Sequence, residues 1–487
     1  MSNTIPHWLT KQALLSPNQP AIEMENGNVI TYKLLQEKSQ QCARRLTSLG
    51  IKQGDHIGIF STNQPEMMIA IHALSYIGAV AVLLNIRLTK EELAYQIENA
   101  EIRYLLTSKD VEAKMNFNIP TFSFAQVESF QEAAIELKTE LRLDDVFTII
   151  YTSGTTGYPK GVVHTYGNHW WSAIGSALNF GLQATDKWLA VLPMFHVGGL
   201  SIFIRSVIYG IPVYLMEKFD ETAFHQAIFE KGVTIASVVT VMLKRLVNTL
   251  KDEKYPETFR CMLLGGGPAP KTLLEQANNH EIAVFQSYGM TETSSQIVTL
   301  SPADAMNQLG SSGKPLFPAQ LKINEPNREG IGEIFVKGPM VTEGYYKNEQ
   351  ANNRVFNDGW LATGDLGYVD EKGFLYVVER RTDLIISGGE NIYPTEVENV
   401  IARLGEILEV GVIGVPDEKW GQVPVAFVVK TDEISSELII SYAKQRLASY
   451  KLPKHIFFID ELPRNASNKL MRKKLLDIYN EIPDKFI

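Results

Sequence analysis

Tyr151-Thr152-Ser153-Gly154-Thr155-Thr156-Gly157-Tyr158-Pro159-Lys160-Gly161 follows the apolar run Val146 to Ile150 and gathers hydroxyls, glycines and one lysine into a single loop. Glycines let the main chain curl until successive N–H groups point at one anion, Ser and Thr add donors, and Lys160 adds a positive charge. The stretch predicts a strand leading into a polyphosphate cradle. It is not the P-loop pattern, in which lysine stands between glycine and a magnesium-binding hydroxyl, because Lys160 lies between Pro159 and Gly161.

On either side of this loop the chain alternates strand-like and helix-like runs. His56 to Phe60, Ala79 to Leu84 and Tyr104 to Leu106 read as strands, with helical stretches around Met67 to Ile77 and Glu91 to Ile97. The same rhythm resumes with Leu189 to Leu192, Pro212 to Leu215, Thr234 to Val239, Cys261 to Leu264 and Ala283 to Gln286. This predicts a large parallel α/β body. The last hundred or so residues differ. Thr395-Glu396-Val397-Glu398 reads as a capping box, and Glu409 to Val415, Val425 to Lys430 and Ile456 to Ile459 read as strands around a helix near Leu438 to Leu447. The expected division is 1–381 for the α/β body and 382–487 for a small, mobile α+β domain, with the boundary in Glu379-Arg380-Arg381-Thr382-Asp383.

The 487 residues are 45% hydrophobic and 21% charged, ordinary for a globular protein, and 46 basic against 55 acidic residues give a net charge of -9. No long block of either sign occurs, so a broad nucleic-acid surface is not expected. Cys42 and Cys261 form no C-x-x-C pair, which argues against structural zinc and fits a reducing compartment. The first residues lack the basic start and apolar stretch of a signal peptide, and no later run approaches a membrane span. A cytoplasmic location without membrane insertion is the expectation; the sequence leaves open a homo-oligomer.

Three further motifs follow the loop in order. Ser287-Tyr288-Gly289-Met290-Thr291-Glu292 offers an aromatic ring, a hydroxyl and a carboxylate; Gly359-Trp360-Leu361-Ala362-Thr363-Gly364-Asp365 ends in a carboxylate suited to a diol; and Leu462 to Leu470 contains Lys469. With the loop, these motifs resemble those of the acyl-adenylate-forming enzymes, a superfamily of acyl-CoA synthetases, carrier-loading adenylation domains and firefly-type luciferases. The resemblance spans most of the chain and implies ATP, Mg2+ and CoA as cofactors and co-substrates.

Residue by residue, it implies that Thr152, Ser153, Gly154, Thr155, Thr156, Gly157 and Lys160 clamp the ATP phosphates. Gly266, Gly267, Pro268, Ser287, Tyr288, Gly289, Met290 and Thr291 would hold the nucleotide, with Tyr288 stacked on adenine and Glu292 on the metal. Asp365 would bind the ribose, Arg380 the ribose or phosphate edge, and Lys469 would bridge the attacking carboxylate and the α-phosphate. Two positions depart from the family's habit: Asn468 stands where glycine is common, and Thr382 stands at the hinge position, often Asp or Lys. Gly388 and Gly389 would line a pantetheine tunnel, Trp420 would flank the thiol, and Arg87, Lys451 and Lys454 would meet CoA phosphates.

Pro193-Met194-Phe195-His196-Val197-Gly198-Gly199-Leu200 resembles the gate beside the acyl pocket, with His196 as a mobile aromatic wall and Thr240 and Gly266 as further neighbours of the acid. Leu200, Phe203, Ile204, Val207 and Ile208 make an apolar helical stripe, and Arg205 lies off it, where helical geometry alone makes it an exposed residue. The wording of several motifs instead resembles acid–CoA ligases acting on an aromatic acid with two carboxylates. That likeness implies that Arg205 holds the carboxylate on the ring while the other is activated. Alternatives remain open: another aryl- or medium-chain acyl-CoA ligase, a carrier-loading enzyme, or a nucleotide-binding regulator without turnover, the last opposed by the presence of Lys469.

Overall fold

The computed structural model describes residues 3–111, 117–152, 159–266, 269, 271–301, 303–304, 307–308, 310–379, 384–464 and 470–482. The chain separates into two compact units. The first holds Met1–Ile86, Ile97–Tyr151 and Gly161–Val378; the second holds Glu379–Ile487 and also takes in Arg87–Gln96 and Thr152–Lys160.

The first unit is built on two large sheets. In one, the strands Val146–Thr152, Val80–Leu83, His56–Phe60, Tyr104–Thr107 and Thr121–Ser123 lie side by side and parallel. In the other, Val284–Met290, Cys261–Gly265, Ile235–Val239, Trp188–Ala190, Val213–Leu215 and Pro20–Met24 form a parallel run. Successive strand residues face opposite sides. Trp188, Ala190 and Ile235 therefore join a core that also takes Ile57, Ile59, Ala81 and Phe147 from the first sheet, while Leu189, Val191, Ala236 and Val238 join a second core on the other face. Helices Trp8–Leu15, Tyr32–Ser48, Pro65–Ile77 and Val197–Tyr209 contribute to the shared core, so both sheets are covered by helices, as parallel sheets require. A third sheet pairs Gln320–Asn324, Gly332–Lys337 and Trp360–Val369 antiparallel.

In the second unit, Ile407–Asp417 and Gly421–Lys430 form a long antiparallel hairpin, flanked by Ile385–Ser387, Glu390–Ile392 and, in parallel, His455–Phe458. Helices Pro394–Ile401 and Ser436–Lys444 supply Val397, Ile401, Ile439 and Ala443 to its core. The expected capping box at Thr395 is absent. The helix starts at Pro394, whose fixed φ suits the first helical position, and Tyr393, at the N-cap position, makes no side-chain capping bond. Among the described residues, no helix is long and apolar enough to cross a membrane.

Candidate active site

Parallel strands deliver their carboxyl ends to one edge of a sheet, where the loops that follow are free to build a site. In the second large sheet Val239 is level with Gly265, and Leu264 with Gln286. Thr240, Gly266 and Ser287 therefore emerge together, and the neighbouring strand Trp188–Ala190 leads on to His196. Gly266 has φ +78, and a Cβ there would lie 3.1 Å from Val239 Cγ1, so the turn favours glycine on two grounds. A Cβ at Gly289 would collide with the Ser295 carbonyl, because the strand Ser295–Thr299 doubles back against Val284–Met290.

Thr291–Thr293 is a single 3-10 turn, held from several sides. The Ser294 N–H donates to the Thr291 carbonyl at 3.1 Å, and the Thr342 N–H to the Glu292 carbonyl at 2.8 Å. His164 Nε2 donates to the Thr291 carbonyl at 2.7 Å. That bond sets the His164 tautomer: Nδ1 accepts from Thr148 Oγ1 at 3.3 Å, and Thr148 in turn accepts from His169 Nε2 at 2.9 Å. Burial holds His164 down to about 4. The Glu292 carboxylate accepts from the Tyr345 hydroxyl at 2.9 Å through Oε1. Among the described residues no cluster of three or more metal-ligating side chains exists. A lone carboxylate suits magnesium, which keeps waters and takes substrate phosphates as its other ligands.

Tyr288 differs from its expected role. Its ring is 2% exposed and packs in the core with Val298 and Ile334, so it has little open face to offer a base. Its hydroxyl instead donates to Asp365 Oδ2 at 2.9 Å. Asp365, on the strand Trp360–Val369, is itself 7% exposed.

Arg205 also departs from helical geometry: it is 1% exposed. The helix Val197–Tyr209 is buried on nearly every side, with Ile202, Ser201 and Ser206 covered as well as the apolar stripe, so periodicity carries no information about which face meets solvent. The guanidinium donates from Nη1 to Gln296 Oε1 at 3.4 Å and from Nη2 to Ser172 Oγ at 3.0 Å. Among the described residues Nε has no partner and no carboxylate pairs with this cation. Burial lowers its affinity for the proton, and Tyr209 opposes that shift. His196 caps the same helix, its ring 4.8 Å from that of Phe195.

Within the second unit Gly388, Gly389 and Trp420 come together. Gly388 has φ +58, its N–H donates to the Trp420 carbonyl at 2.8 Å, and a Cβ there would lie 2.8 Å from the indole. The indole is 46% exposed. Arg87 pairs with Glu390 at 2.6 Å and Lys454 with Asp417 at 2.9 Å, both cations about half exposed. Lys451 does not sit where a CoA phosphate was expected to find it. It is 3% exposed and its ammonium lies 2.6 Å from Glu92 and 2.7 Å from Glu396, because a buried cation needs carboxylate partners.

Thr152 ends the strand Val146–Thr152, the strand the sequence predicts ahead of the cradle, and Lys160 begins the strand Lys160–Thr165. Ser153, Gly154, Thr155, Thr156, Gly157, Gly267, Pro268, Arg380, Thr382 and Lys469 lie outside the described residues. The sequence reading missed Ser172, His164, His169, Thr148 and Tyr345. No motif marks them; they are ordinary polar residues made significant by what folding places beside them.

The AMP-binding enzyme family matches residues 9–346, and the AMP-binding enzyme C-terminal domain matches 396–469. The 2-succinylbenzoate–CoA ligase of Oceanobacillus iheyensis is 57% identical over 98% of this chain and 100% of its own length. A doubly substituted o-succinylbenzoate CoA synthetase from Bacillus subtilis, bound with its product analogue OSB-NCoA, is 45% identical and superposes with a TM-score of 0.94 over 97% of this chain and 98% of that one. The same synthetase in complex with ATP and magnesium ion is 44% identical, with a TM-score of 0.75 over 97% and 100% of the two chains.

Proposed function

This chain belongs to the AMP-binding enzymes, and from that membership and its relatives we propose that it ligates 2-succinylbenzoate to coenzyme A with ATP, a step of menaquinone biosynthesis. The succinyl carboxylate attacks the α-phosphorus of ATP, the bond to the bridging oxygen breaks, and pyrophosphate leaves with the electron pair. The thiolate of CoA then attacks the acyl carbonyl and AMP departs, giving 2-succinylbenzoyl-CoA.

The chain's own residues divide this work. Thr152 to Lys160 grip the phosphates, Asp365 accepts hydrogen bonds from the ribose, and Arg380 contacts the nucleotide edge. Lys469 steadies the charge that develops as the carboxylate meets phosphorus. Glu292 holds magnesium, which neutralises phosphate charge when bound. His196, Thr240 and Gly266 wall the acid, while Gly388, Gly389 and Trp420 receive the pantetheine arm. Residues 1–381 carry adenylation and 382–487 the mobile domain, pivoting at Thr382, so that Lys469 and Gly389 serve in turn. The activity belongs in the cytoplasm, where ATP and CoA are found.

One observation supports this acid above others: Arg205 is a buried cation with a free Nε and no carboxylate partner among the described residues. A guanidinium fork pairs well with a second carboxylate, whereas a simple fatty acid leaves the buried charge unmatched. ATP–pyrophosphate exchange across a panel of acids tests the reading; the greatest exchange is expected with 2-succinylbenzoate, and none with that acid would sink it. Lys469→Ala is expected to lose acyl-AMP formation while still converting supplied acyl-AMP with CoA. Equal loss of both half-reactions would refute the role of Lys469.

A further inference from the structure

Ser172 lies on the helix Tyr166–Phe180 and is 2% exposed. Its hydroxyl has one hydrogen, which it donates to the Ser294 carbonyl at 2.7 Å, so its oxygen lone pairs are what meet Arg205 Nη2 at 3.0 Å. Ser294 closes the turn that carries Thr291 and Glu292: it sits at φ +52, and its N–H donates to the Thr291 carbonyl. One buried oxygen thus joins the cation of the acid site to the backbone of the turn that meets phosphate and metal. Arg205 also reaches Gln296, two residues beyond Ser294 and on the strand Ser295–Thr299 that follows it.

We propose that Ser172 is a positioning residue through which the acid's second carboxylate, bound at Arg205, is read in the rate of adenylation as well as in binding. This rests on the reading that Arg205 holds that carboxylate. A carboxylate arriving at Arg205 takes the unpartnered Nε–H and neutralises a buried charge, drawing the guanidinium into a fixed fork. The Nη2–H then holds Ser172, and Ser172 holds the Ser294 carbonyl, fixing Glu292 and Thr291 in the arrangement the phosphates require. An acid without the second carboxylate leaves Arg205 held only by neutral groups and the turn less firmly fixed. Small misplacements of positioning groups lower kcat more than KM.

The test measures adenylation by ATP–pyrophosphate exchange with 2-succinylbenzoate and with 4-oxo-4-phenylbutanoate, which lacks the ring carboxylate. Ser172→Ala is expected to lower kcat for the dicarboxylate roughly tenfold, the scale of one hydrogen bond to a charged group, with little change in its KM. The fall with the monocarboxylate should be much smaller, and Ser172→Thr, which keeps the hydroxyl, should recover most of the loss. Equal falls with both acids, or a change in KM alone, would overturn the proposal. Ser172→Cys, weaker as a donor but near in volume, carries the same comparison should the alanine variant be unstable. Arg205→Ala separates the two layers: if it leaves the preference between the acids intact, the assignment of Arg205 fails; if it abolishes the preference while Ser172→Ala does not touch it, only the coupling fails.

Discussion

The hydroxyl of Tyr288 donates to Asp365 Oδ2 across 2.9 Å, so one oxygen of the carboxylate expected to bind ribose is already engaged by the nucleotide motif itself. The bond joins the strand Val284–Met290 to the strand Trp360–Val369 and orients the second oxygen. Tyr288→Phe keeps the packed ring and removes the hydroxyl that makes this link. The expected result is a several-fold rise in KM for ATP, corresponding to roughly 1 kcal/mol for one hydrogen bond, with folding retained. Measurement of AMP affinity by calorimetry checks it; unchanged affinity would show that Asp365 needs no such support.

Lys451 gives a prediction about stability. The two carboxylates around it are buried with it, at 8% exposure for Glu92 and 5% for Glu396. Burial raises Glu396, with Lys451 opposing and Glu92 adding to the shift; burial also opposes the charge of Lys451, yet the two carboxylates together keep it protonated. Lys451→Met leaves two buried carboxylates facing each other and is expected to destabilise by about 3–5 kcal/mol. Denaturant unfolding followed through the second unit would show it. A loss no greater than that of an exposed lysine would refute the burial argument.

Acid should weaken the first unit for a definable reason. Burial pushes His7 down to about 3, and His72 and His164 to about 4, from an ordinary 6.5; His169 lies lower than usual for the same cause, with His164 and Arg205 adding to it. These are bases with depressed folded values, so from 6.5 downward the unfolded chain binds protons that the folded one refuses. Their stabilisation is fully present above 6.5 and is lost as pH falls toward 4, at up to about 1.4 kcal/mol per pH unit for each independent group. A melting temperature that falls steeply between pH 6.5 and 4, and falls less in His72→Gln, is the expected outcome. A flat profile in that window would count against it.

Much of the fold is legible in the sequence because strands such as His56–Phe60 and Ile235–Val239 are short apolar runs followed by turn residues, and their order implies parallel pairing. Glycine-rich turns and the carboxylates of Glu292 and Asp365 are legible for a similar reason: their chemistry is local. Arg205 is not. Its helix is buried all round, so the hydrophobic stripe that should mark an inner face marks nothing, and only tertiary neighbours reveal a cation sealed from water. Lys451 fails the same way, because its partners Glu92 and Glu396 are 359 and 55 positions distant. The link from Ser172 to Ser294 spans 122 positions and has no sequence mark at all.

The pairing of Gly388 with Trp420 carries an evolutionary consequence. With an indole 2.8 Å from where a Cβ would stand, and φ at +58, neither position is free to drift alone. A lineage that acquires even alanine at 388 has first to shrink or turn the aromatic ring at 420, and a lineage that keeps the ring is confined to glycine. The two sites, 32 residues apart in the chain, should therefore change hands together across descendants of a common ancestor, leaving a paired substitution record that sequence collections can reveal without any enzyme being assayed.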